Sequence, residues 1–162
     1  MSEIFSMDEI FEIAEQIERN GARFYRKAAQ SFTEDGKKML LELADMEDNH
    51  EKLFSEMRRD FAEESKLAES FDPNGEAALY LQAIADGHVF KFDEDPSEKL
   101  KGTESMEDIL KIAIGLENDS IAFYTGIQEA VPDKLGKDKV NSVVIEEMGH
   151  VRLLKEKLVS LK

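Results

Sequence analysis

Two glutamates in this sequence are each followed, three residues later, by a histidine. The pairs are Glu47 with His50 and Glu147 with His150. Residues three apart on an α-helix lie on the same face, about one turn from each other. A carboxylate oxygen and an imidazole nitrogen can then reach one point beside the helix, which is typical of half a metal site. Two such units predict a site for two metal ions.

The two units belong to a longer internal repeat. Residues 6–25 align with residues 105–124 at a shift of 99, with eight identities in twenty positions, and the glutamate–histidine units repeat at a shift of 100. The identical pairs are Ser6/Ser105, Met7/Met106, Ile10/Ile109, Ile13/Ile112, Ala14/Ala113, Glu18/Glu117, Phe24/Phe123 and Tyr25/Tyr124. The repeat predicts two helical hairpins of similar design, joined by a crossover.

Helical periodicity places two further glutamates on the core-facing seams, one in each repeat. The predicted inward polar set is Glu18, Glu47, His50, Glu117, Glu147 and His150. Unpaired carboxylates in a core cost several kcal/mol or become protonated, whereas two divalent cations would neutralise all four. The alternatives are a chance buried polar network, or glutamates that are exposed because the helices have a different phase.

The positions of these residues in the helices assign their roles. Glu47 and Glu147 are predicted to bridge the two ions. Glu18 and Glu117 are each predicted to cap one ion, and each histidine is predicted to bind one ion through a single nitrogen. Mixed carboxylate and imidazole ligation favours iron or manganese over magnesium and calcium, which prefer all-oxygen sites; zinc is a less expected alternative.

Other residues of the seams are candidates for supporting roles. Tyr25 and Tyr124 follow the first glutamate of each repeat by two turns on the same face, so they are predicted to hydrogen-bond site carboxylates; the alternative is ordinary core packing. Gly21 and Ser120, one turn from the same glutamates, leave space that an oxygen species could occupy. His88 has no partner motif and is predicted to be structural or exposed.

Local sequence patterns predict an all-α chain. Capping boxes predict helix starts at Ser6 and Ser105, and a second helix follows a break at 31–36 and fades over 64–69. Within the long crossover, a short helix is predicted over about 75–86, after a cap at Asp72-Pro73 and before Gly87; residues 93–96 are predicted to form a turn. Residues 131–133 end the third long helix, and the last is predicted over about 138–161. The expected architecture is a four-helix bundle.

Composition narrows the possible functions. The length favours one domain, residues 1–162, and the net charge of −15 argues against nucleic acid and membrane surfaces as partners. No cysteine is present, which excludes disulfides, thiol catalysis and any Cys-ligated metal site. Neither a signal-peptide pattern nor an apolar run near the roughly 20 residues of a membrane helix occurs. A cytoplasmic protein is therefore expected.

The motifs resemble those of the rubrerythrin branch of the ferritin-like family. Residues 44–50 with Leu53-Phe54 are similar to its second-helix motif, Glu18 with Tyr25 to its first, and residues 80–86 to the crossover of short rubrerythrin-like proteins. The resemblance covers nearly the whole chain. It implies a ferritin-like bundle, a di-iron centre held by the six predicted ligands, and reduction of hydrogen peroxide or dioxygen with oxidation of Fe(II). It also implies a homodimer.

Two departures from the family pattern affect the expected function. Full rubrerythrins carry an extra glutamate one turn after the third-helix ligand, where this chain has Ser120, so the redox-linked ligand exchange of the family is not implied here. They also carry a Cys-ligated rubredoxin module; without cysteine, electrons must come from a separate donor protein. The remaining alternatives are a ferroxidase or iron-binding protein for iron storage or delivery, and a metal-binding bundle without turnover.

Overall fold

The computed structural model describes residues 5–64, 75–85 and 91–162. Within these ranges the chain forms five α-helices and two short 3-10 helices, and no strand. The 3-10 helices are Pro96–Lys99 and Asp133–Leu135. The α-helices are α1 (Met7–Ala29), α2 (Glu34–Glu64), α3 (Glu76–Ala85), α4 (Met106–Ala130) and α5 (Lys137–Ser160). None of the described helices is both long and apolar enough to cross a membrane.

Both predicted capping boxes are confirmed. The Ser6 hydroxyl accepts a hydrogen bond from the Glu9 amide, and the Glu9 carboxylate accepts one from the Ser6 amide at 2.7 Å. Ser105 and Asp108 repeat this arrangement at the start of α4, with both bonds at 3.1 Å. Each cap satisfies amides that the helix leaves without partners, a contribution of about 1 kcal/mol. The caps also start the two repeats at equivalent residues.

The long helices form two hairpins, α1 with α2 and α4 with α5, and α1 also packs beside α4. Each of these four long helices contributes residues to both of two apolar clusters. One cluster contains Phe11, Phe54 and Tyr124, and the other contains Phe24 and Leu110. In all four helices the glutamate or glutamate–histidine unit falls in the sequence between the residues of one cluster and those of the other. The core therefore consists of two apolar layers with a polar layer between them.

The crossover packs against the first and third long helices. The predicted short helix is confirmed as α3, whose Leu81 is buried against α4 near Gly126, where an added Cβ would lie 2.7 Å from the leucine side chain. The later part of the crossover runs along α1, where Asn20 donates a hydrogen bond of 2.8 Å to the Phe92 carbonyl. The predicted cap at Asp72-Pro73, the stop at Gly87 and His88 lie outside the described residues.

Two local details differ from expectation. Residues 96–99 form a 3-10 helix immediately after the predicted turn, because the Asp95 carboxylate accepts a hydrogen bond of 2.9 Å from the Ser97 amide and Pro96 occupies the first position. The helix α2 begins at Glu34, within the predicted break.

Between α4 and α5, Gly136 adopts a φ of 102°, a left-handed conformation that favours glycine, so the chain turns sharply into α5.

Candidate metal centre

The six predicted inward side chains all lie in the polar layer. Each is 3% exposed or less, so none is a surface glutamate on a misphased helix. Among the described residues, two groups of four offer ligand atoms that lie within 4.8 Å of one another. The first group is Glu18, Glu47, His50 and Glu147. The second group is Glu47, Glu117, Glu147 and His150. The two groups share one glutamate from α2 and one from α5, the positions predicted to bridge.

The two histidines direct the same ring atom toward the carboxylates. His50 Nδ1 lies 3.1 Å from Glu147 Oε1 and 3.5 Å from Glu18 Oε2. His150 Nδ1 lies 2.8 Å from Glu147 Oε2 and 3.5 Å from the nearest oxygen of Glu117. The two rings are stacked, with centroids 5.8 Å apart and planes at 23°. Each imidazole therefore faces a different one of the two glutamates predicted to cap an ion, and both imidazoles face Glu147.

Several atoms of this layer have no hydrogen-bond partner among the described residues. They are Glu18 Oε2, Glu47 Oε1, Glu147 Oε2 and both ring nitrogens of His150. The 2.8 Å approach of His150 Nδ1 to Glu147 Oε2 lacks hydrogen-bond alignment. Buried polar atoms without partners are costly, and cations would satisfy the carboxylate oxygens and Nδ1. The residues present thus fit a dinuclear metal site.

The pKa shifts of the site residues in the protein without metal also indicate that the carboxylates need compensating positive charge. The pKa values of Glu18 and Glu117 lie well above the usual range of a glutamate. The main cause is burial, and the second is the negative charge of neighbouring carboxylates. Burial also opposes ionisation of Glu147, but the close approach of the His150 ring and the hydrogen bond with His50 outweigh it and lower its pKa to about 2. Despite burial, the same carboxylates raise the pKa of His50 to about 11 and of His150 to about 12. Protons therefore balance the carboxylates when cations do not.

The two tyrosines contact carboxylates across the bundle, rather than in their own repeat. Tyr25 from α1 donates a hydrogen bond to Glu117 from α4, and Tyr124 from α4 donates one to Glu18 from α1. Both side chains are buried, and burial followed by the neighbouring glutamate charges raises the pKa of both hydroxyls well above its usual value. Each tyrosine therefore remains a donor and holds the glutamate on the first helix of the other hairpin.

One site residue was missed by sequence reasoning. Glu146 from α5 accepts a hydrogen bond at 2.8 Å from His50 Nε2, the ring nitrogen opposite the one that faces the site. A carboxylate in this place fixes the tautomer and orientation of a ligating imidazole. The repeat gives no hint of it, because the position equivalent to Glu146 in α2 is Met46. His150 Nε2 consequently has no such partner among the described residues.

Replacing Glu146 with methionine is expected to weaken metal binding at the position that includes His50 by about 10–100-fold, because the imidazole loses its orienting carboxylate. A competition titration with a chromophoric chelator measures the affinity of each ion. The matched control is Glu156→Met, which removes an exposed carboxylate of the same helix that pairs with Arg152. Unchanged binding of both ions in the Glu146 variant would show that the contact has no positioning role.

A cavity of about 230 Å³ reaches the site between α1, α4 and the segment 91–99. Its inner wall includes Glu47, Glu117 and Tyr25, together with the two small residues expected to leave space, Gly21 and Ser120. Its lining also includes charged residues of the crossover, Lys91, Glu94 and Lys99. Its volume would admit a small molecule to the carboxylates.

Changing Gly21 to alanine is expected to disturb the site, because the added Cβ would lie 2.6 Å from Glu47 Oε2 and displace that carboxylate. Metal affinity should fall, as measured by the same competition titration. Gly115→Ala is the matched control, since a Cβ there meets nothing within 4 Å. That variant should keep wild-type affinity and gain about 0.5–1 kcal/mol in the free energy of unfolding from its better helix propensity. Equal affinities in both variants would contradict the close approach.

A four-helix bundle with a buried carboxylate and histidine layer, built from equivalent residues of two hairpins, is the ferritin-like architecture. The fold expected from the sequence is thus confirmed. The Rubrerythrin family model matches residues 9–158. This chain belongs to the rubrerythrin family, as its motifs suggested.

Comparison with solved structures gives a consistent result. A protein from Thermotoga maritima, described as ferritin-like and of the diiron-carboxylate type, superimposes with a TM-score of 0.74 at 26% sequence identity. The match covers 100% of both chains. No curated protein matches the sequence. The family and this structural relative, together with the buried cluster, indicate a dinuclear metal site in this chain.

Proposed function

We propose that this protein is a non-haem di-iron oxidoreductase of the peroxidase or oxidase type. It would reduce hydrogen peroxide or dioxygen and receive electrons from a separate donor protein. The observation that supports this most strongly is the pair of four-residue groups that share Glu47 and Glu147. Mixed carboxylate and imidazole donors favour redox-active iron or manganese, and membership of the rubrerythrin family favours iron. Zinc would bind without redox chemistry.

The residues around the site can perform distinct tasks. When bound, a pair of ferrous ions supplies the two electrons that reduction of peroxide to water consumes. Glu47 and Glu147 would hold both ions, and each histidine would hold one. The tyrosine hydroxyls fix the capping glutamates. The two apolar layers exclude bulk water from above and below, so the cavity beside Gly21 is the route by which a small oxidant can approach.

Ser120 distinguishes this site from that of full rubrerythrins. Its hydroxyl donates a hydrogen bond of 3.1 Å to the Leu116 carbonyl, within its own helix. A serine has no carboxylate to offer to the site, so the ligand exchange attributed to the extra family glutamate has no counterpart at this position. We propose a cycle in which the ligand set stays fixed and the small side chain keeps the cavity open.

The second candidate is a ferroxidase or iron-binding protein for iron storage or delivery. A carboxylate on the cavity wall favours it, because Asp119 is half-buried in the same lining as Glu117. Glu94 of the crossover part is already paired with Lys91 and Lys99. Burial raises the pKa of Asp119. An ionised Asp119 on the cavity wall would attract Fe(II) toward the site, whether the iron is a resident cofactor or a substrate.

Rapid mixing of the Fe(II)-loaded protein with peroxide, and separately with air-saturated buffer, distinguishes the candidates. The expected result is oxidation much faster with peroxide, followed at the ferric absorption band and repeatable after reduction. Fast oxidation by air with many irons retained per chain would favour the ferroxidase. No oxidation by either reagent would leave a metal-binding bundle without turnover and contradict the proposal. The Glu47→Ala variant serves as the control for iron that is not bound at the site.

A further inference from the structure

The cavity beside the site is much larger than hydrogen peroxide or dioxygen requires. Its volume is about 230 Å³, whereas a water molecule accounts for about 30 Å³ of liquid volume and hydrogen peroxide has only one oxygen atom more. An apolar cavity of about 150 Å³ is enough to hold benzene. The cavity therefore has room for an organic group of about the size of a benzene ring, in addition to the reacting oxygen atoms.

Apolar side chains from both repeats line this cavity. Ile17 from α1 and Leu116 from α4 are both in the lining, and they are equivalent residues at the repeat shift of 99. Each lies one turn before the small lining residue of its own helix, which is Gly21 in α1 and Ser120 in α4. The two repeats therefore contribute a matched surface, with an aliphatic side chain and then a small one on each helix.

The crossover adds further apolar surface that the repeat does not supply. Phe92 and Pro96 line the cavity, and both belong to the part of the chain outside the aligned residues. The segment that carries them is held on α1 by two hydrogen bonds of 2.8 Å, from Asn20 to the Phe92 carbonyl and from Lys27 to the Ser97 carbonyl. A fixed wall of this kind suits a ligand with an apolar body, whereas a peroxide molecule would not need it.

The charged residues that the crossover contributes to the lining do not select a charged ligand. Glu94 lies 2.8 Å from Lys91 and 2.7 Å from Lys99, so these three residues neutralise one another in part. At the inner wall, the carboxylates of Glu47 and Glu117 would repel an anion. A neutral molecule with one small polar end and one apolar body matches this arrangement, because the polar end can face the site while the body contacts the apolar wall.

We propose that the substrate of this site is an organic hydroperoxide with an uncharged apolar body of about the size of a benzene ring. The proposal rests on the proposed function and narrows its substrate class. The O–O bond of the hydroperoxide breaks, and the products are the corresponding alcohol and one water molecule. Two protons come from solvent, and two electrons come from the pair of ferrous ions, which the donor protein then reduces again.

Stopped-flow oxidation of the Fe(II)-loaded protein by cumene hydroperoxide, and separately by hydrogen peroxide, provides the first test. Both reactions are followed at the ferric absorption band over a range of oxidant concentrations. The concentration that gives half of the limiting rate should be at least about tenfold lower for cumene hydroperoxide, because its ring is buried against the apolar wall.

The variant Leu116→Trp narrows the cavity with a bulky indole but leaves room for a molecule as small as hydrogen peroxide. Its half-limiting concentration of cumene hydroperoxide should rise by at least about tenfold, while its reaction with hydrogen peroxide stays at the wild-type level. Leu79→Trp is the matched control, because Leu79 is 53% exposed on α3 and does not line the cavity. Circular dichroism and metal content establish that both variants are folded and loaded.

Binding is measured without redox chemistry on the zinc-loaded protein, with 2-phenylpropan-2-ol, the alcohol product, as the probe. An NMR titration of the wild type should show saturable shifts of the methyl groups of Ile17 and Leu116, which line the cavity. This titration and the wild-type comparison of oxidants decide the question even if Leu116→Trp does not fold.

The possible outcomes separate this proposal from the proposed function. Fast oxidation by hydrogen peroxide without a saturable reaction with cumene hydroperoxide overturns the substrate class and leaves the peroxidase function standing. An alcohol titration that shifts neither methyl group also overturns it, and so does a folded Leu116→Trp variant that reacts with cumene hydroperoxide as the wild type does. If neither hydroperoxide oxidises the iron, the proposed function fails and the substrate class fails with it.

Discussion

Replacing Glu47 with alanine is expected to abolish the binding of both metal ions, whereas replacing Glu18 removes only one. Glu47 offers oxygen atoms to both four-residue groups, and Glu18 belongs to one of them. Loss of a bridging carboxylate deprives each ion of a ligand and of the charge that offsets repulsion between the cations. Metal analysis after loading and desalting should give none per chain for Glu47→Ala and about half the wild-type content for Glu18→Ala.

The control for this experiment is Glu51→Ala. Glu51 lies one turn beyond Glu47 on the same helix, but it is partly exposed and paired with Arg19 at the surface. Its replacement removes one carboxylate without touching the polar layer, so metal content should stay at the wild-type level. Wild-type content in Glu47→Ala would rule out the bridging role, and a complete loss in Glu18→Ala would show that the two positions do not fill independently.

Removing the metal from the wild-type protein is expected to lower its melting temperature by about 10–20 °C. An ion held at a hundredfold excess over its dissociation constant stabilises the folded state by about 2.7 kcal/mol, and two ions contribute about 5 kcal/mol. For a domain of this size, each kcal/mol corresponds to about 2–4 °C. The physical source is the polar layer, where cations replace the protons and unpaired oxygens of the buried carboxylates.

Differential scanning calorimetry before and after chelation, followed by metal readdition, measures this effect. The Glu47→Ala variant should melt at the same temperature with and without metal, because it has lost the site. A chelator that leaves the wild-type melting temperature unchanged would show that the layer is stable on hydrogen bonds and protonation alone. The structural basis for a metal site would then be absent.

The sequence predicted the parts of this fold that depend on one helix at a time. The capping boxes at Ser6 and Ser105 and the inward position of Glu18 follow from spacings within single helices. The internal repeat then predicted which residues come together, because equivalent residues of two hairpins must meet at the centre of a bundle. The burial of all six side chains and the two shared glutamates agree with that reasoning. Metal ligation itself stays a prediction.

Contacts between helices could not be predicted in the same way. The predicted hydrogen bond from Tyr25 to a site carboxylate is present, but the sequence did not say which carboxylate accepts it. The tyrosine reaches Glu117 of the other hairpin, because the helices pack at a relative height that spacing does not encode. Glu146 was missed for the same reason, since its partner His50 lies on another helix. The 3-10 helix at 96–99 begins at a cap in which the Asp95 carboxylate accepts a hydrogen bond from the Ser97 amide. The presence of turn-forming residues in this stretch does not specify that bond.

The crossed tyrosine bonds have a consequence for the smallest unit that can build this centre. Each hairpin supplies a tyrosine to the other and receives one in return. The first hairpin alone contains one copy of each type of residue that the centre uses: Glu18, Tyr25, Glu47 and His50. Two identical peptides made of α1 and α2 would therefore contain six predicted ligands and two tyrosines, without a counterpart of Glu146, and the exchange between the halves would hold across their symmetry axis. The natural chain has the chemistry of a symmetric pair of half-length peptides fused into one.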